Sequence, residues 1–466
     1  MEDPGDVRLP LSAEEIQELI ATDHKHVWHP FTQMQEWYEQ PCMIVAEGDG
    51  AYLIDAEGNR YLDGISSLWV NVHGHRRREI DRAVREQLAR IAHSTLLGTA
   101  SIPSIRLARQ IIRVAPRELS RVFYSDNGST AVEVALKIAF QYWQQHEHEE
   151  KRRKKRFVSF HNAYHGDTLG AVSVGGIDLF HGKYGPLLFP AHKVHYPYCY
   201  RCHLGLTFPE CGITCLEELV QLMEWEAGSL AALIIEPLVQ GAAGMITAPP
   251  GHLKAVETLC RKHDVLLIAD EVAVGWGRTG RLFAVEHEDV SPDLMALAKG
   301  LTGGYLPLAA TLATEKIYEA FLGPYEEEKT FFHGHSYTGN PLAAQAALAS
   351  LEILEQENTM EKLQPKIEHL RRGLERFGGL EHVGDVRQRG FMVGIELVED
   401  RETKRSYPSR ERVGMKVALE ARRHGVLLRP LGDVMVLMPP FIVTPEEIDK
   451  LLDVTYACID SITQGA

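Results

Sequence analysis

The residues best suited to chemistry in this chain are a lysine and an aspartate, each placed where an apolar run ends. Lys299 follows the run 296–298 and begins a glycine-rich turn, and Asp270 closes the apolar run 265–269. An amine and a carboxylate at the ends of successive buried strands suit a cationic cofactor that bears a carbonyl group. The amine would form a Schiff base with the carbonyl, and the carboxylate would pair with a ring nitrogen.

Such a cofactor also needs a cradle for a phosphate group. Residues 125–130 (SDNGST) come directly after a predicted strand and directly before a helical pattern. Backbone amides at a helix start favour a dianion, and Ser129 and Thr130 add hydroxyl donors. Together with the lysine and the aspartate, this segment predicts a pyridoxal phosphate site. Each part has a simpler explanation when taken alone, because helix caps commonly use the same residue types.

Further side chains complete the predicted site. Tyr164 is expected to stack on one face of the cofactor ring, and Val272, two residues beyond Asp270, on the other face. Asp270 would keep the ring nitrogen protonated, while Lys299 would move the proton between substrate and cofactor. Arg429 ends an apolar strand and would bind a substrate carboxylate through two parallel hydrogen bonds. A core tyrosine and a surface arginine in an ion pair are the alternatives.

Apolar runs alternate with helical periodicity through the middle of the chain, and this alternation determines where the candidate residues lie. Continuous apolar strands separated by helices predict an α/β fold, with a mostly parallel central sheet covered by helices. Ligand sites in such sheets gather at the carboxyl ends of the strands. A helix is predicted over 130–143. The predicted strands are 121–124, 157–160, 231–236 and 265–270.

The two ends of the chain differ from the middle. Residues 45–63 alternate polar and apolar around glycines, which predicts a small antiparallel meander, and 390–397 predicts a further short strand. We expect both ends to build one smaller α+β domain. The predicted division assigns 1–65 and 351–466 to the small domain and 66–350 to the large cofactor-binding domain.

Composition excludes several classes of protein. The chain has 466 residues, 45% of them hydrophobic and 24% charged, and a net charge of -15. This acidic balance disfavours nucleic acid as a partner. Since no run of about 18 apolar residues exists, no membrane span is predicted. The acidic segment 1–6 lacks an apolar signal core, so a cytoplasmic location is expected. The basic run 151–156 is interpreted as a solvated helix end without function.

Four of the seven cysteines lie close together in the sequence, at Cys199, Cys202, Cys211 and Cys215. Their CxxC and CxxxC pairs resemble metal ligands, but the spacer between the pairs is shorter than in common zinc modules. We therefore predict no catalytic metal. The cysteines are either reduced thiols in a surface loop or the ligands of a structural zinc.

The chain resembles the class III aminotransferases, which use pyridoxal phosphate, over nearly its full length. The segments 267–280 (LIADEVAVGWGRTG) and 298–300 (AKG) look like the signature of that family. The resemblance implies a fold type I homodimer with active sites at the subunit interface, and a small-molecule amino donor and keto acceptor. It also implies that the cofactor is contacted by residues of the cradle and of the loop 331–341, namely Gly128, Ser129, His335 and Ser336, with Ser336 supplied by the neighbouring subunit. Many relatives have threonine at that last position.

Within this class, the segments 26–34, 66–75 and 437–441 resemble the branch that transfers an amino group to 8-amino-7-oxononanoate in biotin biosynthesis. The resemblance implies a substrate channel with contacts from Phe31, Leu68, Trp69, Tyr164, Lys299, Gly334 and Arg429. Many members of the branch have tyrosine in place of Phe31 and tryptophan in place of Leu68. The donor in this branch is S-adenosylmethionine or lysine. Loss of a hydroxyl and an indole favours lysine, because a sulfonium group binds to aromatic faces.

Other functions are compatible with the same residues. A broad ω-amino acid or amine:pyruvate transaminase is the nearest alternative, followed by an aminomutase or a decarboxylase of the same fold. A cofactor-binding protein without activity, whose cysteines form an interaction module, belongs to a different class. Tests of 8-amino-7-oxononanoate and of pyruvate as acceptors separate the two transaminases. The aminomutase, the decarboxylase and the inactive protein would show no net amino transfer.

Overall fold

The computed structural model describes residues 9–464. The acidic segment 1–6 lies outside them. The strands are β1 (Val45–Asp49), β2 (Tyr52–Asp55), β3 (Arg60–Asp63), β4 (Leu119–Ser125), β5 (Arg156–Phe160), β6 (His192–Val194), β7 (Leu230–Ile235), β8 (Val239–Gln240), β9 (Ile246–Thr247), β10 (Leu266–Asp270), β11 (Leu294–Leu297), β12 (Ala309–Thr314), β13 (Val383–Arg389), β14 (Met392–Leu397), β15 (Val426–Leu427) and β16 (Val434–Leu437).

The α-helices alternate with these strands through the middle of the chain. They are α1 (Ala13–His26), α2 (Met34–Glu39), α3 (Ser66–Trp69), α4 (Arg78–Leu88), α5 (Ile102–Val114), α6 (Gly128–Gln144), α7 (Leu169–Val174), α8 (Asp178–His181), α9 (Glu217–Glu226), α10 (His252–Lys262), α11 (Glu315–Glu319), α12 (Pro341–Gln356), α13 (Thr359–Leu374), α14 (Val413–Arg423) and α15 (Pro445–Thr463). None of the helices in residues 9–464 is both long and apolar enough to cross a lipid bilayer.

The central sheet has the strand order β4-β12-β11-β10-β7-β5-β6. Strands β6, β5, β7, β10 and β11 pair in parallel, whereas β12 runs antiparallel to both β11 and β4. Every residue of β7, β10, β11 and β12 is buried, as expected for strands covered on both faces. The predicted α/β fold with a mostly parallel sheet is confirmed. The direction of β12 was not predicted, because an apolar run does not disclose strand direction.

Helix α6 extends the predicted helix 130–143 by two residues at its start. Asn127 is its N-cap, and the Asn127 side chain accepts a hydrogen bond of 3.1 Å from Thr130 N. Apolar residues along the helix are buried, and Trp143 Nε1 donates to Ala231 O of the sheet at 2.8 Å. The cap and this packing place the N-terminus of α6 at the carboxyl end of β4.

The basic run 151–156 is not wholly solvated, so the interpretation of that segment was wrong for one residue. Lys154 is buried, and its Nζ donates to Ala227 O at 2.9 Å and to Asp264 O at 2.7 Å. The same amine lies 4.8 Å from the centroid of the Trp143 ring. Two carbonyl oxygens and an aromatic face thus replace water around this charge. Its role is to join the end of α6 to the sheet.

Both ends of the chain contribute to a second hydrophobic core. Strands β1, β2 and β3 form the predicted antiparallel meander, and β15 pairs in parallel with β3, with Val426 opposite Leu62. Strands β13, β14 and β16 form an antiparallel sheet. Leu62 and Val426 share this core with Phe391 and Ile448. The shared core agrees with one smaller domain built from both ends, while the boundaries after residues 65 and 350 stay predictions.

Candidate active site

The ends of two neighbouring parallel strands bring the lysine and the aspartate together. Asp270, the last residue of β10, lies opposite Ala296 of β11, and Lys299 follows β11 in a short 3-10 helix (Lys299–Thr302). Both side chains line a cavity of about 660 Å³ at the carboxyl ends of the strands. The other predicted site residues on the wall of this cavity are Trp69, Gly128, Ser129, Tyr164 and Val272.

The Asp270 carboxylate is buried and held on both oxygens. It is 4% exposed, and its Oδ1 accepts a hydrogen bond of 3.1 Å from Val272 N. His165 Nδ1 donates to Asp270 Oδ2 at 2.7 Å, and His165 is itself buried. Sequence reasoning assigned no role to His165, since nothing in the sequence pairs it with a residue 105 positions away. The histidine fixes the direction in which the carboxylate faces the cavity.

Lys299 is held in an unusual backbone conformation with its amine facing the cavity. Its φ is 49°, in the left-handed region that side chains other than glycine rarely adopt. Burial lowers the pKa of the Lys299 amine to about 8, although the charges of Asp270 and Glu236 act in the opposite direction. The amine lies 4.8 Å from the centroid of the Trp69 ring. A substantial fraction of it is therefore neutral and nucleophilic near pH 8.

Glu236 is a second carboxyl group on the cavity wall that the sequence did not indicate as a site residue. It follows β7, the strand beside β10, and it is buried. Burial, together with the nearby Asp270 carboxylate, raises the pKa of Glu236 well above its usual range. The Oε2 atom of Glu236 has no hydrogen-bond partner among residues 9–464. A neutral carboxyl group in this position would donate a hydrogen bond into the cavity.

Tyr164 lies on the cavity wall. Its hydroxyl donates to Asp167 Oδ2 at 2.6 Å. Burial and this hydrogen bond raise the pKa of the Tyr164 hydroxyl above its usual range. The phenol therefore stays protonated at neutral pH and keeps a fixed direction. This position is compatible with its predicted contacts to cofactor and substrate, which stay predictions.

The N-terminus of α6 forms the predicted cradle. A Cβ at Gly128 would lie 2.6 Å from Val272 Cγ1, so no larger residue fits without a shift of this wall. Ser129 Oγ accepts a hydrogen bond of 3.1 Å from Asp167 N, and a Cβ at Gly166 would lie 2.0 Å from the same oxygen. The first amides of a helix have no partner within the helix. Gly128 and Ser129 thus present free backbone amides to an anion in the cavity.

Three predicted cofactor or substrate contacts, Gly334, His335 and Ser336, do not line the cavity. Gly334 and Ser336 are exposed, and the Ser336 carbonyl oxygen accepts a hydrogen bond from His93 Nε2 at 2.8 Å. His335 Nδ1 donates to Asp126 Oδ2 at 2.7 Å, and Asp126 lies on the cavity wall. The structure therefore connects His335 to the cavity indirectly and leaves the other two at the surface.

Phe31, Leu68 and Arg429 also lie outside the cavity wall. Phe31 is 58% exposed, and its ring centroid lies 5.3 Å from that of Phe180, which in turn lies 6.2 Å from that of Tyr164. Leu68 is exposed beside the buried Trp69. Arg429 is exposed and forms no ion pair with any residue that the structure describes. The alternative explanation, a surface arginine in an ion pair, therefore lacks an acidic partner for Arg429 among residues 9–464.

The four clustered cysteines line one small cavity of about 20 Å³. None of them forms a disulfide in the structure. Burial raises the pKa of the Cys215 thiol to about 11, and burial and the neighbouring thiols raise that of Cys199. Across residues 9–464, no three histidine, cysteine, aspartate or glutamate side chains are gathered so that they could hold a metal ion. The geometry thus offers no support for the zinc alternative.

The cavity fits pyridoxal phosphate. The N-terminus of α6 lies on the cavity wall, and the backbone amides of Gly128 and Ser129 there suit a phosphate group. The buried Asp270 carboxylate suits a protonated ring nitrogen, and the Lys299 amine suits a carbonyl carbon. These three groups line one cavity, and its volume of about 660 Å³ is typical of a site for a small molecule.

Comparison with known proteins agrees with this chemistry. The family of class III aminotransferases matches residues 33–459. The chain is 56% identical over 450 residues to the adenosylmethionine-8-amino-7-oxononanoate aminotransferase of Geobacter sulfurreducens, which covers 96% of this chain and 99% of that protein.

Two solved structures have the same fold. The adenosylmethionine-8-amino-7-oxononanoate aminotransferase of Methanocaldococcus jannaschii has a TM-score of 0.91 at 46% identity, covering 96% of this chain and 99% of that one. An (S)-enantioselective omega-transaminase of Thermomicrobium roseum has a TM-score of 0.91 at 34% identity, covering 96% and 98%. The chain belongs to the class III aminotransferases and is a pyridoxal-phosphate-dependent transaminase.

Proposed function

We propose that this enzyme transfers an amino group to 8-amino-7-oxononanoate, giving 7,8-diaminononanoate in biotin biosynthesis. The observation that carries the proposal is the 56% identity, over 96% of the chain, to a relative named for this reaction. The fold does not discriminate, because the omega-transaminase has the same TM-score of 0.91 at only 34% identity. The alternative of a broad amine:pyruvate transaminase is therefore kept as the second candidate.

S-adenosylmethionine is the amino donor that we propose. Phenylalanine at 31 and leucine at 68 led the sequence analysis to favour lysine as the amino donor. The relatives of 36% to 56% identity are instead named for adenosylmethionine. Both side chains are exposed and lie outside the cavity wall. A missing hydroxyl at Phe31 or a missing indole at Leu68 thus removes no part of that wall. Trp69, the indole that is retained, faces the Lys299 amine.

The residues of this chain have separate tasks in the proposed reaction. Bound pyridoxal phosphate supplies an electrophilic carbonyl and a ring that accepts electrons. The partly neutral Lys299 amine would move the proton between the substrate carbon that bears nitrogen and the cofactor. Asp270, oriented by His165, places its negative charge against the ring nitrogen. Gly128 and Ser129 bind the phosphate through their amides.

Substrate contacts come from the remaining predicted residues. Tyr164, held by Asp167, directs its ring toward the cofactor and its hydroxyl toward the substrate. Val272 packs on the opposite ring face and also closes the cradle against Gly128. Arg429, without an acidic partner among residues 9–464, binds the acceptor carboxylate through its guanidinium group.

We also propose that the enzyme is a cytoplasmic homodimer with shared active sites. Gly334 and Ser336 lie at the surface of their own subunit, and Ser336 is assigned to the cofactor phosphate of the neighbouring one. Large apolar side chains that are exposed on the same loop agree with its burial against a second subunit. They are Phe332 and Tyr337.

A panel of donors and acceptors tests the proposed function. The holoenzyme is incubated with 8-amino-7-oxononanoate and either S-adenosylmethionine or lysine, and 7,8-diaminononanoate is measured by mass spectrometry. We expect product with S-adenosylmethionine. Robust amino transfer to pyruvate without any transfer to the oxononanoate would favour the second candidate. Light scattering after size exclusion tests the dimer in the same preparation.

A further inference from the structure

The segment that carries Trp69 adopts a strained backbone conformation. Ser66, Ser67 and Trp69 have φ values of 51°, 62° and 66°, all in the left-handed region. Residues other than glycine rarely adopt this region, and such strain persists only where the surroundings determine it. Three instances within four residues therefore require specific anchors.

The main anchor is the buried carboxylate of Asp63, which is 0% exposed. Ser67 N donates to both of its oxygens, at 3.0 and 2.8 Å, and Ile65 N donates at 3.3 Å. His75 Nε2 donates to Asp63 Oδ2 at 2.9 Å. Asn71 Nδ2 donates to His75 Nδ1 at 2.9 Å, which leaves the ring proton on Nε2 for Asp63. One carboxylate thus holds the start and the centre of the strained turn.

Two further contacts tie the same turn to the C-terminal part of the chain. Ser66 Oγ donates to Met438 O at 2.7 Å. The buried Arg278 guanidinium donates from Nη2 to Asn71 O and from Nη1 to Pro439 O, each at 2.9 Å. These contacts fix the two flanks of the turn. They leave its centre, at residue 67, to Asp63 alone.

The turn determines where the indole of Trp69 lies. The Trp69 ring is buried, with its centroid 4.8 Å from Lys299 Nζ. A Cβ at Gly241 would lie 3.3 Å from Trp69 Cζ3, so the indole packs closely against the opposite wall. An indole in this position covers one side of the lysine amine. A different backbone at residues 66–69 would move it away.

We propose that Asp63 is a positioning residue for the transamination reaction and acts through Trp69. Its carboxylate holds the strained turn in the conformation that places the indole against the Lys299 amine. Asp63 touches neither Lys299 nor the cavity, so its effect on the reaction passes through the backbone of residues 65–67. Neither the sequence motifs nor the family resemblance assigned this residue a role.

A double-mutant cycle tests the proposal in the holoenzyme. Asp63→Asn keeps the size of the side chain and removes its charge, and kcat/KM is measured with the donor and acceptor that turn over fastest. This choice keeps the test independent of the proposed substrate. We expect kcat/KM to fall by about tenfold or more, because small misplacements of a reacting group are costly. In a Trp69→Ala background, Asp63→Asn is expected to change kcat/KM by less than about twofold.

Asp55→Asn is the matched control. Asp55 is a buried aspartate of the same sheet whose carboxylate also caps a turn, accepting from Glu57 N and Asn59 N, and it has no contact with residues 66–69. We expect Asp55→Asn to lower the thermal stability about as much as Asp63→Asn does. Its kcat/KM is expected to change by no more than about twofold. Equal kinetic losses in Asp55→Asn and Asp63→Asn, or the same loss with and without Trp69, would overturn the proposal.

A readout that does not involve turnover uses the full chain freed of cofactor. Labelling of Lys299 by an amine-reactive reagent is followed by mass spectrometry at fixed pH. Asp63→Asn is expected to label at least about threefold faster than the unaltered protein, since the indole no longer covers the amine. Unchanged labelling would contradict the proposal.

Ser67→Gly keeps the test decisive if Asp63→Asn does not fold. Ser67 is exposed, and glycine adopts its φ of 62° without strain while making the turn more mobile. We expect lower kcat/KM and faster labelling of Lys299, in the same direction as Asp63→Asn but smaller. No change in either quantity would overturn the assignment of Asp63.

Discussion

Replacing Gly128 by alanine is expected to weaken cofactor binding through a single steric contact. The new Cβ would lie 2.6 Å from Val272 Cγ1 and 3.2 Å from Val272 Cγ2. Valine has one strongly preferred side-chain rotamer, so it cannot turn away without strain. Overpacking of this kind costs about 1–3 kcal/mol. Cofactor-free protein relieves this contact by moving Val272 into the empty cavity, whereas bound cofactor, which packs on Val272 in the proposed site, blocks that movement. The cost then falls on the bound state, and the Kd for pyridoxal phosphate rises by about 5- to 150-fold.

The assay is a titration of cofactor-free protein with pyridoxal phosphate, followed by absorbance. Gly378→Ala is the control, because a Cβ at Gly378 would meet no atom within 4 Å. Val272→Ala in the Gly128→Ala background removes both clashing carbon atoms and is expected to recover part of the lost affinity. Unaltered affinity in Gly128→Ala, or no recovery in the double variant, would refute the steric account of the cradle.

Four other predictions concern the cavity. Lys299→Ala should abolish turnover, as measured by product formation over a long incubation, and any rate near that of the unaltered enzyme would contradict its role. His165→Leu should raise the Kd for the cofactor by about 10- to 100-fold, because the Asp270 carboxylate loses the hydrogen bond that His165 donates. An unchanged Kd in the same titration would contradict this. Arg429→Ala should raise KM for the carboxylate acceptor while leaving the half-reaction of a carboxylate-free amine within about twofold; equal losses would refute its assignment. In cofactor-free protein, labelling of Lys299 should increase through a midpoint near the pKa of about 8, since only the neutral amine reacts; a midpoint near that of exposed lysines would contradict the effect of burial.

The sequence predicted those parts of the molecule that depend on local patterns. Continuous apolar runs located β5, β7 and β10, and helical spacing located α6, because burial leaves a direct record in residue type. The positions of Asp270 and Lys299 followed from the same runs, since the carboxyl ends of parallel strands meet at one edge. Their proximity in the cavity needed no further information.

The features that the sequence did not predict depend on contacts between distant residues. His165 and Asp270 are 105 residues apart, and the pair His335 and Asp126 is 209 residues apart. Glu236 is the last residue of the predicted strand 231–236, but only the folded chain brings it beside Asp270. Backbone conformation is equally hidden, because the positive φ of Trp69 has no counterpart in its residue type.

The predicted site residues divide into those that line the cavity and those that lie at the surface. Among the residues that line the cavity are Asp270, Lys299 and Gly128, which we propose to hold the cofactor. Residues predicted from the substrate channel, among them Phe31 and Gly334, lie exposed at the surface of that subunit. In the proposed homodimer Gly334 contacts the substrate and Ser336 contacts the cofactor phosphate of the neighbouring cavity, so assembly completes both the entrance and the cofactor site. A dissociated subunit would then keep its own cradle but lack the Ser336 hydroxyl of its partner, so it would bind pyridoxal phosphate more weakly and would lose discrimination among acceptors.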